Sequence, residues 1–409
     1  LIMGVLVVYP ALLLIALSIL PDLPEGRLSG AFDAFLRIGT TPGIPKMLLN
    51  SLLWGVSVAA VAWVIGIPLG WILARCSMPG LWIIRALVLV PILTPPYVFA
   101  LSCTIAMQPN GLIDRLIGTI PDWLRGLYFG FGGVTLVMAL ATFATVTMAV
   151  EAGIRAIPAR LEDAAAMFGA SRRVVAWRVT VPLLLPAILN SGLLVFLESV
   201  SNFGVPAILG PRANLPLLPS EIYHLATSWP IDFPLAIALS TLLMVTALLA
   251  VAVQQRILAR STLGSRPAPA RPPQPLRWPG QLLAWACVAP VLLIGVIGPL
   301  AAMVLASLVG NWEKPGLGLT LANYSALLAP ESSGRRAIIT SLWLSTLAAT
   351  ITTALGAFTA WTVARHHGPA AQWLDRISVL PKVLPKMVMA VALILAWNAP
   401  WLPLDVYGT

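Results

Sequence analysis

Long runs of apolar residues with almost no charge recur along the whole chain, as in Leu1–Leu20, Phe131–Val150 and Leu235–Val253. About 20 such residues cross the hydrocarbon core of a bilayer as a helix. A helix satisfies its own backbone groups without water, so the repetition of these runs dictates an all-α polytopic membrane protein. Composition agrees, with 59% of the 409 residues hydrophobic and only 10% charged, against roughly 25% charged in a soluble domain. Disordered, collagen-like and ordinary soluble classes are excluded. The net charge of +10 is therefore a matter of topology, and no nucleic-acid partner is expected. Cys76, Cys103 and Cys287 are odd in number and lack a paired spacing, which implies neither a disulfide framework nor a thiolate metal site. Leu1–Leu20 lacks a basic leader and a distinct cleavage site, so it reads as a span and not as a removable signal peptide.

Apolar stretches set against turn signals and charges give nine expected spans, near 1–20, 47–74, 81–107, 131–150, 183–208, 235–254, 280–309, 337–364 and 376–398. With the N-terminus inside, the inner loops and span ends hold fourteen arginines, among them Arg75, Arg85, Arg155, Arg172 and Arg271; the outer loops hold nine basic residues offset by ten carboxylates. The reverse orientation inverts this bias, so the N-terminus is expected on the cytoplasmic side.

The chain divides into three regions. Residues 1–255 form a first half of six spans, 256–279 a cytoplasmic linker rich in proline and arginine, and 280–409 an incomplete second half of three spans. The linker reads as a solvated tether, with contact to anionic headgroups as the alternative. The halves superpose in sequence at a shift of 290 residues: Ser51 on Ser341, Gly66 on Gly356, Trp71 on Trp361, Arg75 on Arg365, Pro91 on Pro381 and Pro95 on Pro385. A shift of 289 places Pro10 on Pro299 and Ser18 on Ser307. A tandem duplication is expected. The same arithmetic puts counterparts of Asp163 and Gly169 beyond Thr409, so the chain is expected to be part of one of roughly 540 to 550 residues, a reading to which its start at Leu1 without methionine adds.

The inner loop 151–182 contains RLEDAAAMFGASRRVVAWRVTVPLLLP. A short helix is expected from about Pro158 to Phe168, with Glu162 and Asp163 in its N-terminal half and Gly169 ending it at positive φ. Ala164, Ala165 and Ala166 give it a narrow face over which a partner's groove could close, and Pro182 and Pro186 mark the return into the membrane. Asp163-Ala164-Ala165, three residues, Gly169, nine residues and Val179-Thr180-Val181-Pro182 resemble the E-A-A, x3, G, x9, I-x-L-P signature of membrane subunits of bacterial ATP-binding-cassette (ABC) importers. Asp replaces Glu, and Val replaces Ile and Leu. The resemblance implies that this loop docks into a cytoplasmic ABC ATPase dimer, with Glu162, Asp163, Ala164, Ala165, Gly169, Val179 and Pro182 as the coupling residues. It further implies two six-span permease bundles in tandem, the second truncated here, in a bacterial inner membrane. An extracytoplasmic solute-binding protein would deliver the solute. The run from Glu198 to Gly210 is similar to permeases of the ferric-iron type, whose relatives carry thiamine, polyamines or phosphonates. Ferric iron is the favoured cargo. ATP would be used by the partner, and no cofactor is expected in this chain.

Glu198 is the one carboxylate deep in an expected span, and burial of its charge costs at least about 2.5–3.5 kcal/mol. It lines the translocation path, with Asn202 one turn further on the same face, or it fixes helix packing; the residues leave both open. Lys382 and Lys386 are four apart and share a face, either for an anionic substrate or through headgroup snorkelling and pairing; Lys386 is kept as a path candidate. His224, His366 and His367 offer no metal spacing. A phosphate loop is absent, since no Gly-Lys pair occurs, and so are H-E-x-x-H and G-x-S-x-G, so the chain is not expected to be an enzyme. An ion-coupled secondary transporter is the competing class. It would need several buried carboxylates and gives no reason for the D-A-A-x3-G loop.

Overall fold

The computed structural model describes residues 4–23, 27, 30–259, 271–312, 316–366 and 368–398. Its helices are α1 (Gly4–Ile19), α2 (Asp33–Thr40), α3 (Ile44–Arg75), α4 (Leu81–Leu93), α5 (Pro96–Met107), α6 (Leu112–Leu116), α7 (Asp122–Tyr128), α8 (Phe131–Ala156), α9 (Ala159–Met167), α10 (Arg172–Ser201), α11 (Gly204–Leu209), α12 (Leu218–Thr227) and α13 (Phe233–Ala259). After the linker come α14 (Trp278–Leu308), α15 (Ala322–Leu328), α16 (Ser333–Arg365), α17 (Pro369–Val383) and α18 (Lys386–Trp397). Two short strands, β1 (Cys76–Ser77) and β2 (Gln274–Pro275), pair in parallel. The all-helical membrane architecture is as the apolar runs dictate.

Among the described residues six single helices are long and apolar enough to span a bilayer: α3, α8, α10, α13, α14 and α16. The count of nine needs correction at the other three. The expected span 81–107 is two helices, α4 and α5, bent by 101°. Residues 1–20 and 376–398 contribute the shorter apolar helices α1 and α18. The physical cause of the breaks is proline: a residue before proline is driven out of the helical region. Thr94 before Pro95 takes ψ 121°, and Leu384 before Pro385 takes ψ 130°. Span five also differs. Its helix starts at Arg172, well before the expected residue 183, and stops at Ser201. Pro182 has no N–H to donate to Arg178, so the helix widens into a π turn over Ala176–Thr180 and continues instead of restarting.

The first-half core forms where α3 meets α8. Gly66 and Gly70, one turn apart on α3, let the backbones close: an added Cβ would lie 2.6 Å from Val146 Cβ at Gly66 and 2.7 Å from the Thr147 carbonyl oxygen at Gly70. Small residues serve this purpose in lipid, where packing and not water drives association. Trp54, Val58, Ala62, Met138 and Val146 fill the interface and are fully buried.

Local features recur at the spacings seen in the sequence. The π turn Gly4–Val8 and the helix Tyr9–Ile19 reappear as Leu293–Ile297 and Gly298–Leu308. Ser18 donates to the Ile15 carbonyl and Ser307 to that of Val304, both at 2.7 Å. α3 and α16 end at Arg75 and Arg365, and the proline breaks fall at Pro95 and Pro385. The two matching helices each pack on a helix at a proline break: α1 lies against α18, and α14 lies against α5.

At the end of the bundle remote from α9, Asp114 ties a cap together. Its carboxylate accepts the N–H groups of Ile120 (3.0 Å) and Asn110 (2.9 Å) and pairs with Arg125 at 2.8 Å. The Ile120 N–H, outweighing a partial desolvation and aided by Asn110 and Arg125, holds this carboxyl below its ordinary value. A depressed carboxyl stabilises the native state fully above the ordinary value of about 3.9 and loses that contribution as pH falls through the lower native value. Protection of amides 110–128, relative to their intrinsic exchange rates, should therefore fall on acidification through that range, and Asp114→Asn should show low protection at neutral pH with no acid step. An acid step that persists in Asp114→Asn would remove Asp114 as its origin.

Candidate functional site

The helix expected over Pro158–Phe168 is α9, Ala159–Met167, and it stands at one end of the bundle between α8 and α10. Pro158 takes φ −60°, ψ 129° and starts it; Gly169 at φ 83° ends it, with the Gly169 N–H on the Ala166 carbonyl (2.9 Å) and the Ala170 N–H on that of Ala165 (3.2 Å). The Ser171 side chain then accepts the Val174 N–H and starts α10. The chain thus makes a helical projection and returns without a gap. Met167 and Phe168 cap the projection, 88% and 94% exposed. Ala164 is exposed and Ala165 half-buried, so the apolar tip exceeds the alanine face that the sequence suggested.

The opposite side of α9 is fastened by Glu162, whose side chain is 4% exposed. Its Oε1 accepts from Arg75 at the end of α3 and from Thr180 Oγ1 at 2.8 Å, in the π turn of α10. Arg271 of the linker reaches Glu162 Oε2 at 3.4 Å and Asp163 Oδ1 at 3.2 Å. A buried carboxylate is tolerable when surrounded by donors, and this one has three. Trp71, Arg75, Glu162, Arg172 and Arg271 line a cleft of about 230 Å³ here. A second cluster lies beside it: Glu151 pairs with Arg85 (3.0 Å) and Arg155 (2.8 Å), and Arg85 also donates to the Leu73 carbonyl at the end of α3 (3.0 Å). Cations at that position complement the negative end of the helix dipole.

Of the remaining loop candidates, Asp163 is exposed, Val179 is half-buried inside the π turn, and Pro182 is exposed in the first turn of Val181–Ser201. Arg75, Thr180 and Arg271 were missed by sequence reasoning. Arg75 did carry a signal, since the repeat aligns it with Arg365. Thr180 sits in the unspecified position of the motif, and Arg271 lies in a stretch without periodicity. The tether reading of the linker needs correction at its described end, which is pinned through β2 and Arg271; residues 260–270 lie outside the described residues.

The path candidates divide. Glu198 lies in the last turn of α10, nearer a helix end than the apolar run implied, and it is half-buried. Lys386, the first residue of α18, acts on its charge through space. These two candidates are brought together from distant parts of the chain. Asn202 is not on the same helical face as Glu198: the helix has ended, and the Asn202 Oδ1 accepts the Val205 N–H (3.0 Å) to start α11. Nor do Lys382 and Lys386 share a face, because the Pro385 break divides them; the Lys382 side chain lies outside the described residues. The breaks meet, since the start of α11 abuts that of α5 so closely that a Cβ at Gly204 would lie 3.0 Å from the Tyr97 backbone. Non-helical backbone at membrane depth is accommodated where protein buries it or a watery cavity receives it. Among the described residues no group of three metal-ligating side chains converges.

The family described as binding-protein-dependent transport system inner membrane component matches residues 66–259. The putative ferric transport system permease protein FbpB 1 of Haemophilus influenzae is 26% identical over 389 residues, covering 91% of this chain and 59% of that protein. The ferric transport system permease protein FbpB of Actinobacillus pleuropneumoniae is 25% identical over 379 residues, covering 90% and 53%. The molybdenum transport system permease protein ModB of Mycobacterium tuberculosis is 30% identical over 247 residues, covering 60% of this chain and 88% of that protein. The chain thus spans between about half and three fifths of the length of the ferric relatives.

Proposed function

Because the chain belongs to the family of binding-protein-dependent transport inner-membrane components, we propose that it forms the translocation path of an ABC importer and receives the work of ATP hydrolysis through α9. The observation that carries this reading is the geometry of the loop: a short helix pinned at its base by a buried carboxylate and ending in an apolar tip exposed to solvent. Such a tip is suited to the cleft of a separate cytoplasmic ATPase, of which a dimer would serve the two halves. The recurrence of helix ends at a spacing of 290 residues supports a tandem of two permease halves, 1–255 and 280–409, joined by the linker. The arginines around α9 support a cytoplasmic location for that end and for the N-terminus, with the opposite end receiving an extracytoplasmic binding protein.

Ferric iron is the favoured cargo, because the ferric relatives align along both halves while the molybdenum relative aligns along 60% of the chain. Glu198 and Lys386 would face the route at the helix breaks. Energy enters as a difference in ATPase affinity between two permease conformations, since a partner shifts an equilibrium only by its differential binding.

Gly169 provides the test. Nothing lies within 4 Å of a Cβ built there, so a substitution meets no neighbour and acts only through φ 83°. The left-handed region costs most L-residues about 1–2 kcal/mol, and a β-branched residue is least suited to it while asparagine tolerates it. Gly169→Val should leave membrane abundance normal and remove co-purification with the ATPase; Gly169→Asn should retain both. Normal ATP-driven uptake of radioactive iron in Gly169→Val would count against docking through α9, and uptake of molybdate in place of iron would replace the cargo.

A further inference from the structure

Arg271 is the described residue at which the linker meets the first half, and the strand just beyond it aims its side chain. Three residues after Arg271 the chain enters β2, which pairs with β1, Gln274 beside Cys76 and Pro275 beside Ser77. The Leu276 N–H donates to the Ser77 carbonyl (3.3 Å), the Gln281 side chain donates to the Leu276 carbonyl (2.8 Å), and the Leu276 side chain packs on the cluster containing Leu73, Met78 and Ile84. The linker end is therefore fixed to the terminus of α3, and its guanidinium spans a short distance to α9.

We propose that Arg271 is a positioning residue: by gripping Glu162 and Asp163 together it sets the rotation of α9 about its own axis, and so the face presented to the ATPase. The proposal rests on the docking role of α9. Arg75 and Thr180 both bind Oε1 of Glu162, which fixes where the helix sits. Contacts to one side chain leave rotation about the helix axis less determined. Consecutive residues point about 100° apart around an α-helix, so one planar guanidinium bonded to two of them selects one rotation. The fork geometry of arginine suits this, and the single ammonium of lysine does not. Arg271 is 37% and Asp163 55% exposed, and ion pairs so placed add little to fold stability. Their loss should loosen orientation and spare the fold.

The test uses the whole chain assembled with its ATPase and binding protein in liposomes, reading solute imported per ATP hydrolysed. Arg271→Ala should retain abundance and ATPase association and lower that ratio at least about fivefold, and Asp163→Ala should lower it as well. The double variant should be no worse than Arg271→Ala alone, because that substitution already breaks the one contact that Asp163→Ala removes. Arg271→Lys should restore part of the ratio. A strap control uses native Cys76 with Gln274→Cys in a Cys103→Ser/Cys287→Ser background; burial pushes the Cys76 thiol up, so oxidation is run at alkaline pH. Disulfide formation undiminished by Arg271→Ala would assign the defect to the guanidinium, and its loss would overturn that assignment in favour of a general linker defect. A wild-type ratio in both single variants, or additive defects in the double, would overturn the proposal. If the wild-type permease neither binds nor stimulates the ATPase, the docking reading fails, and this inference falls with it.

Discussion

Replacing Glu162 with leucine should abolish uptake and lower the amount of permease in the membrane. Arg75, whose side chain is 13% exposed, would lose its anion, Thr180 its acceptor and Arg271 one of two partners. Removing one member of a buried ion pair costs about 3–5 kcal/mol, mostly as the penalty on the charge left behind, and a domain's whole stability is only about 5–15 kcal/mol. Proteolysis at 157–181 should quicken, since that segment would lose the buried carboxylate that fastens α9. The reason is checkable through the partner: Arg75→Leu combined with Glu162→Leu removes both charges and should recover abundance, while uptake stays low because α9 remains unfastened. Wild-type abundance and uptake in Glu162→Leu alone would sink the anchoring role.

Glu198→Gln should have a comparably large effect on transport with a small one on folding. Glutamine keeps the shape and the hydrogen-bonding capacity while removing the charge beside Lys386. On the proposed reading, in which Glu198 lines the route of a multivalent cation and acts through its charge, uptake should fall at least about tenfold, equivalent to about 1.4 kcal/mol of barrier, at unchanged abundance. Exchange of the two, Glu198→Lys with Lys386→Glu, keeps one charge of each sign at these positions and should recover part of the activity. Should Glu198→Gln import normally and only Glu198→Leu lose abundance, the residue is a packing element and the route lies elsewhere.

Sequence reasoning reached the helical membrane class and the loop helix because both rest on local signals: apolar runs, and a Pro-to-Gly bracket around acidic residues and alanines. It did not reach the breaks at Thr94, Asn202 and Leu384. Apolar composition continues across them, and hydropathy is blind to a 101° bend. Proline was visible at 95 and 385, yet prolines at 68, 91 and 186 stay inside helices, so residue type alone could not separate the cases. Asn202 was placed on a face by counting fours, and the count fails where a helix ends. The Glu162 anchor draws on Arg75, Thr180 and Arg271, which lie 87, 18 and 109 residues away in sequence. No period or motif window joins such positions.

The packing of α1 on α18 bears on how the protein is made. α1 is synthesised before α18, against which it packs and which leaves the ribosome roughly 370 residues later, on the order of tens of seconds at ordinary translation rates. A water-soluble chain with such an order would hold a naked apolar segment through that interval. In a bilayer, lipid tails solvate α1 as well as α18 does, so the delay carries no aggregation penalty. Final assembly is a lateral exchange of lipid for protein at a seam of Leu13, Leu14, Leu17, Val388 and Val391. Biogenesis of this permease therefore depends on α1 and α18 residing in one continuous patch of membrane, and on α1 staying inserted until α18 arrives.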